Sequence, residues 1–178
     1  MSTSPDDLRY PIGKFQFPEH VTEDDHARWR QIIADTPTRL REAVNGLDDS
    51  QLDTQYRPEG WTLRQVVHHI ADSHINSVVR FKLALTEDSP PLKPYREGEW
   101  ANLADSSMPV EVSLDLLTAL HARWTVLLES LMPADLQRTL TNPNSGKLVP
   151  LERNLAVYAW HGPHHIAHIT STRERHNW

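Results

Sequence analysis

Seven of the eleven histidines in this 178-residue chain fall in two short stretches. One reads Val67-His68-His69-Ile70-Ala71-Asp72-Ser73-His74. The other reads Trp160-His161-Gly162-Pro163-His164-His165-Ile166-Ala167-His168. Histidine is the commonest metal ligand and the usual acid–base side chain near neutral pH. Residues four apart on a helix share one face about a turn apart, which lets two imidazoles reach one ion. The second stretch offers two such pairs, His161/His165 and His164/His168. Three neutral imidazoles from two helices leave a divalent ion with open positions for water or substrate. An ion so held lowers the pKa of a bound water and yields a nucleophile near neutral pH. The chemistry to expect is metal-assisted attack by water.

Helical phase chooses among the histidines. At about 100° per residue, the apolar stripe of the last helix runs through Leu151, Leu155, Tyr158, Gly162 and Ile169. His165 lies beside that stripe and His161 just outside it. His164 and His168 lie further round, toward solvent. A site inside a helical bundle therefore favours His161 and His165. On the earlier helix Leu63, Val66, Ile70, Val78 and Phe81 mark the inner face. His69 borders it, His68 points nearly opposite, and His74 lies within it as a rival to His69. Asp72, one turn beyond His69, is placed for a supporting role beside the ion or for a salt bridge with Arg64 or Arg80. The chain has no cysteine, which excludes disulfides, thiolate zinc sites and a cysteine nucleophile. Ser106-Ser107 has no base beside it in the sequence, so serine catalysis carries little weight.

Four long helices must position these residues. Residues up to about 20 carry Pro5, Pro11 and Pro18 and read as an extended arm. Thr22 through Asp25 forms a capping-box start for a helix to about residue 45, with Trp29, Ile32, Ile33, Leu40 and Val44 as core and Gly46 as its end. Residues 48–52 suit a short helical turn. Thr62 and Gln65 make a second capping box, opening a helix over residues 63–85. Residues 88–109 hold Pro90, Pro91, Pro94 and Pro109 and form a long loop, of a length that is often functional. A third helix starts at Ser113, runs through Leu114, Leu117, Leu120, Trp124, Leu127, Leu128 and Leu131, and stops at Pro133. Asn142 to Gly146 is a turn, residues 147–150 are the sole strand candidate, and a fourth helix covers residues 151–173. Pro163 reads as a kink, because it removes one backbone hydrogen bond. Trp61, Trp124 and Trp160 read as core; Trp100, in the long loop, is the tryptophan placed to line a pocket. The simplest architecture is an all-α four-helix bundle with one long crossover, occupying residues 1–178 as a single domain.

Composition sets the outer limits. Hydrophobic residues make up 38% and charged residues 24%, which suits a globular domain with a real core. The net charge is -6 and the pI about 6.0, a poor balance for binding nucleic acid. No apolar stretch approaches the roughly 20 residues of a membrane span. The first residues lack the basic and apolar segments of a signal peptide, so a cytoplasmic address is expected.

Beyond spacing, Gly60-Trp61-Thr62-Leu63-Arg64-Gln65-Val66-Val67-His68-His69 resembles the hallmark of the DinB superfamily, in which a ligand histidine follows eight residues after a tryptophan. Tyr158-Ala159-Trp160-His161-Gly162-Pro163-His164-His165 is similar to the second metal motif of that family, whose ligands match His161 and His165. Tyr10-Pro11-Ile12-Gly13, residues 49–54, residues 76–83 and His121-Ala122-Arg123-Trp124-Thr125 are similar to its YfiT-like branch, which is described as metal-dependent hydrolases. Gly162-Pro163 departs from the ordinary helix formers that relatives carry there.

The resemblance implies an up-down-down-up four-helix bundle, one zinc or nickel ion per chain held by His69, His161 and His165, and a homodimer. Two enzyme functions follow from it. One is hydrolysis of a small molecule by activated water. The other is transfer of a low-molecular-weight thiol of the bacillithiol or mycothiol type, since a metal lowers the pKa of a thiol as it does that of water. A non-catalytic, structural metal-binding protein is the third possibility. A general base beside the open metal position favours hydrolysis, a groove lined with Arg or Lys favours thiol transfer, and a closed fourth position favours the structural role.

Overall fold

A computed structural model describes residues 5–178, with side chains from residue 7 onward. After a short helix α1 (Pro5–Arg9) the arm runs extended to the first long helix, α2 (Glu23–Val44). Thr22 and Asp25 cap α2 reciprocally, side chain to backbone in both directions, as the sequence predicts. Asp48 caps the four-residue α3 (Asp49–Leu52). Thr62 and Gln65 form the same reciprocal cap on α4 (Leu63–Thr86).

Four long helices form the bundle: α2, α4, α6 (Val110–Glu129) and α8 (Leu151–His176). Their directions follow from which residues touch. His26 reaches Glu152, and Arg173 reaches Ala43, so α2 and α8 run parallel. Ser77 meets Asn154 while Ser73 meets His161, so α4 and α8 run antiparallel. Arg41 pairs with Asp115 and His121 with Ile33, which sets α2 against α6. His68 binds Ser113 and His74 binds His121, so α4 and α6 run parallel. This is the up-down-down-up order. Parallel α4 and α6 cannot be joined by a tight turn; the chain must travel back along the bundle, and the proline-rich crossover does so. It carries one helical turn, α5 (Glu97–Trp100), and a 3-10 turn at Ala104–Ser107.

Several details differ from the sequence reading, beginning with α1, a helical turn inside the arm that the sequence reads as extended throughout. The third helix begins at Val110, three residues early, because a proline at a helix start loses no hydrogen bond there. It ends at Glu129, and Pro133 opens another short turn, α7 (Pro133–Leu136). The strand candidate is real, but it is half of a hairpin: β1 (Thr139–Thr141) pairs antiparallel with β2 (Leu148–Pro150) across the Asn142–Gly146 turn. The fourth helix runs through Pro163, as the sequence has it, and extends three residues further, to His176.

The core has two apolar clusters. One gathers Trp29, Ile33, Phe81, Trp124, Leu128 and Leu155. The other gathers Leu40, Leu63, Val66, Ile70, Leu117 and Ile169. On α6 and α8 the histidines fall between these two sets, as does His74 on α4, while His68 and His69 lie at the level of the second set. The bundle therefore holds a buried imidazole layer between two hydrophobic halves. No described helix is long and apolar enough to cross a membrane.

Candidate metal centre

His69 on α4 and His161 and His165 on α8 meet in this layer. One nitrogen from each lies within 4.8 Å of the other two. Their ring centroids are 5.3 Å (His69–His161), 4.7 Å (His69–His165) and 4.5 Å (His161–His165) apart. Burial, with the nearby His168, pushes His69 down to about 4. Burial and neighbouring imidazoles hold His161 and His165 well below the usual histidine range. All three are therefore neutral at pH 7, the state in which imidazole has a lone pair for a cation. A trio of soft-to-borderline nitrogen donors at this spacing fits a divalent zinc- or nickel-like ion. A second trio, His164, His165 and His168, shares His165 and is equally compact.

The remaining histidines of the layer are hydrogen-bonded neighbours. His74 Nε2 is 3.3 Å from His161 Nδ1, and His74 Nδ1 is 2.8 Å from His121 Nε2. His121 Nδ1 donates to the Ile33 carbonyl at 2.7 Å. On the other side, His168 Nδ1 is 3.3 Å from His165 Nδ1, and His168 Nε2 donates to the Arg9 carbonyl at 3.1 Å. His68 is spent on structure: it ties Ser113 and the Met108 carbonyl to α4.

Several sequence expectations are corrected here. His164 and His168 are buried, at 6% and 2% exposure, rather than turned to solvent. Arg9 and Tyr10 of the arm and Tyr56 from the loop before α4 cover them; Tyr56 stacks on His168 at 4.0 Å. His74 is interior, as its phase requires, but lies outside the His69 trio. Asp72 makes no salt bridge with Arg64 or Arg80. Arg64 binds Asp49 and Asp53 instead, and Arg80 donates to the Tyr158 hydroxyl and the Lys93 carbonyl. Nor is Asp72 among the hydrogen-bond partners of the trio found among the described residues; partial burial raises its pKa. Trp124 is core, whereas Trp61 and Trp160 are half-buried and line a cleft.

Two cavities flank the trio. The first, about 360 Å³, is lined by His69, His161, His165, Trp61, Trp160, Arg9, Arg57, Glu59 and Glu97. The second, about 370 Å³, is lined by His69, His161, Ser73, Tyr158, Arg80, Arg153, Tyr95 and Glu97. Both are large enough for a small metabolite. His69, His161 and Glu97 line both, so two of the three histidines stand in the partition between them, and His165 faces the first alone. Trp100 lines neither; it packs on Tyr95 at 4.6 Å and is 37% exposed. It is Glu97, at the start of the same helical turn, that the crossover delivers to the site. Ser73 and Tyr158 also went unread as site residues: Ser73 Oγ is 3.3 Å from His161 Nε2 and 3.1 Å from the Tyr158 hydroxyl. Their signal was available, since Ser73 is one turn from His69 and Tyr158 one turn from His161 on the same faces. Glu97 had no such signal, because a loop has no phase.

Residues 32–169 match the DinB superfamily. A protein of Bacillus mycoides (strain KBAB4) named "Putative metal-dependent hydrolase" is 56% identical over 172 residues, covering 97% of this chain and 99% of that one. A similarly named protein of Bacillus cereus (strain AH820) is 54% identical over the same coverage. The solved structure of YfiT from Bacillus subtilis superposes with a TM-score of 0.93 at 46% identity, covering 97% of this chain and 99% of that one. It is described as "a probable metal-dependent hydrolase with an unusual four-helix bundle topology".

Proposed function

The chain belongs to the DinB superfamily, and on that premise we propose that it is a metal-dependent hydrolase whose divalent ion is held by His69, His161 and His165. The observation that carries this reading is a trio of neutral imidazoles beside open space: all three line the first cavity, and His69 and His161 also line the second. An ion bound there supplies Lewis acidity, polarising a substrate oxygen and lowering the pKa of water. The chain's own residues supply the rest. The cavities give a substrate access to the trio from two sides, whereas a purely structural site would be closed. Glu97 reaches both cavities and is the general base, taking the proton of the attacking water. Arg80, held by the Tyr158 hydroxyl and the Lys93 carbonyl, presents a fixed cation in the second cavity. Trp61, 4.6 Å from His69, walls the first.

Metal content and turnover test this together. Wild type should carry about one zinc or nickel ion per chain by elemental mass spectrometry, and His161→Ala should lose it. Glu97→Gln should keep the ion but lower hydrolysis of the best substrate in an ester and amide panel by about 10²- to 10⁴-fold. An unchanged ion content in His161→Ala would overturn the site, and unchanged turnover in Glu97→Gln would overturn the base.

One observation favours a second reading. Arg9 and Arg57 line one cavity, Arg80 and Arg153 the other, and guanidinium groups suit the carboxylates of a low-molecular-weight thiol. The chain has no cysteine, so a transferred thiol would arrive with the cosubstrate. Thiol consumption in the presence of an electrophile, with no hydrolysis in its absence, would decide for transfer.

A further inference from the structure

We infer that His121, His74 and His168 are positioning residues that fix the tautomers of two metal ligands, through two histidine chains each ending on a backbone carbonyl, so that His161 and His165 both present a bare Nε2. This rests on the ligand assignment proposed above, but the proton positions follow from the hydrogen bonds of the chain alone.

The first chain starts in α2. Proline has no N–H, so Pro37 leaves the carbonyl four residues before it, that of Ile33, without its helical donor. His121 supplies one from α6, 2.7 Å away. A carbonyl can only accept, so the proton of His121 is on Nδ1 and its Nε2 carries the lone pair. The nitrogen 2.8 Å from that lone pair is His74 Nδ1, which must donate. His74 Nε2 is then bare, and His161 Nδ1, 3.3 Å away, donates to it. Each neutral imidazole has one proton to give, so His161 keeps its lone pair on Nε2, where its one neighbour among the described hydrogen bonds is the Ser73 hydroxyl at 3.3 Å, a rotatable group that can donate to it or turn to Tyr158.

The second chain is shorter. Arg9 ends α1, and its carbonyl is among those a helix cannot satisfy internally. His168 Nε2 donates to it at 3.1 Å, so His168 Nδ1 is bare. His165 Nδ1, 3.3 Å from that atom, donates. Again Nε2 is left free, now on His165. An imidazole is ordinarily neutral above about 6.5, and no carboxylate is among the hydrogen-bond partners of either chain, so the one-proton count holds at neutral pH.

The same count separates the two trios. In His164, His165 and His168, His168 has spent its Nε2 proton on Arg9 and its Nδ1 lone pair on His165. It has nothing left for an ion without breaking both bonds. The trio with His69 needs no bond broken in either chain. Partners of this kind orient a ligating histidine, fix its tautomer and raise its basicity, and their loss typically costs 10- to 100-fold in metal affinity.

Two measurements test the proposal. Long-range ¹H–¹⁵N correlation spectra of the metal-free wild type read each tautomer directly. The expected pattern is Nδ1–H on His74, His121, His161 and His165, and Nε2–H on His168. Nε2–H on His161 or His165 would overturn the proposal whatever the protein catalyses or binds. Zinc affinity, by competition with a chelating dye, reads the consequence. His121→Leu and His168→Leu should each weaken zinc by about 10- to 100-fold. His121→Gln and His168→Gln should largely restore it, because glutamine can donate to the carbonyl and accept from the next imidazole. Equal affinity in the Leu and Gln variants would sink the positioning role. Should a Leu variant fail to fold, the wild-type spectrum still decides.

Discussion

At the residue scale, the choice between two overlapping histidine trios is the first question. His164 packs between Tyr10 and Trp160, stacking on the latter at 4.2 Å, and its Nδ1 is buried with no hydrogen-bond partner among the described residues. An aromatic sandwich of this kind explains its burial without an ion. His164→Ala is therefore expected to keep stoichiometric zinc, while His69→Ala and His165→Ala lose it, with helical content unchanged in all three by circular dichroism. Zinc lost from His164→Ala but kept in His69→Ala would move the site to the second trio. Helical phase already ranked His161 and His165 above His164 and His168, because a fixed angle per residue converts sequence number into direction. Direction is not burial, however. His164 and His168 point away from the bundle axis, yet the arm and the Tyr56 loop, distant in sequence, close over them. The roles of His74 and His121 were illegible for a related reason: their partners lie 47 to 88 residues away.

The close approach of two elements explains a motif that otherwise argues against helix. At Gly162 an added Cβ would sit 2.8 Å from Thr36 Oγ1 and 2.9 Å from Thr36 Cγ2. Thr36 is fully buried on α2, and its hydroxyl is tied to the Ile32 carbonyl, so it cannot readily yield. Glycine here lets α8 lie against α2 one residue from His161. Its cost in helix propensity is about 1 kcal/mol, offset by the contact between the two longest-paired helices. Gly162→Ala is thus expected to destabilise the protein by about 1–3 kcal/mol, the usual cost of overpacking, despite alanine being the better helix former. Adding Thr36→Ala should recover part of that loss, because the two clashing atoms are gone. Urea midpoints of the two single variants and the double variant measure the coupling; a neutral or stabilising Gly162→Ala would show that the helices can move apart freely. The helices themselves were readable to within a few residues from capping boxes and apolar periodicity. The order of packing was not, since α2 touches α6 and α8 but faces α4 across the diagonal.

Across the whole molecule, the imidazole layer links folding to pH. Each histidine in it must be stripped of water to be buried, which disfavours the charged form. His69, His121 and His168 fall to about 4, with His74, His161 and His165 well below the ordinary value. In the unfolded chain the same side chains titrate near 6.5. Between about 6.5 and 4 the unfolded state therefore binds more protons than the folded one, and stability falls as pH falls. Each such histidine contributes a slope of up to about 1.4 kcal/mol per pH unit within that window and none above it. For a domain whose total stability is about 5–15 kcal/mol, several of them together are enough to unfold the metal-free protein in mild acid. An ion bound only by the folded state opposes this, adding about 2.7 kcal/mol at a hundredfold excess over its dissociation constant. It competes with protons for the same nitrogens, so its help also fades in acid. Metal-free protein should accordingly show a level urea midpoint from pH 8 to 7 and a steep decline below 6.5, and zinc should raise the curve most at the neutral end. A midpoint for the metal-free protein that stays level down to pH 5 would mean that the histidine layer is hydrated or already charged in the folded state, and the neutral-imidazole basis of the metal site would fall with it.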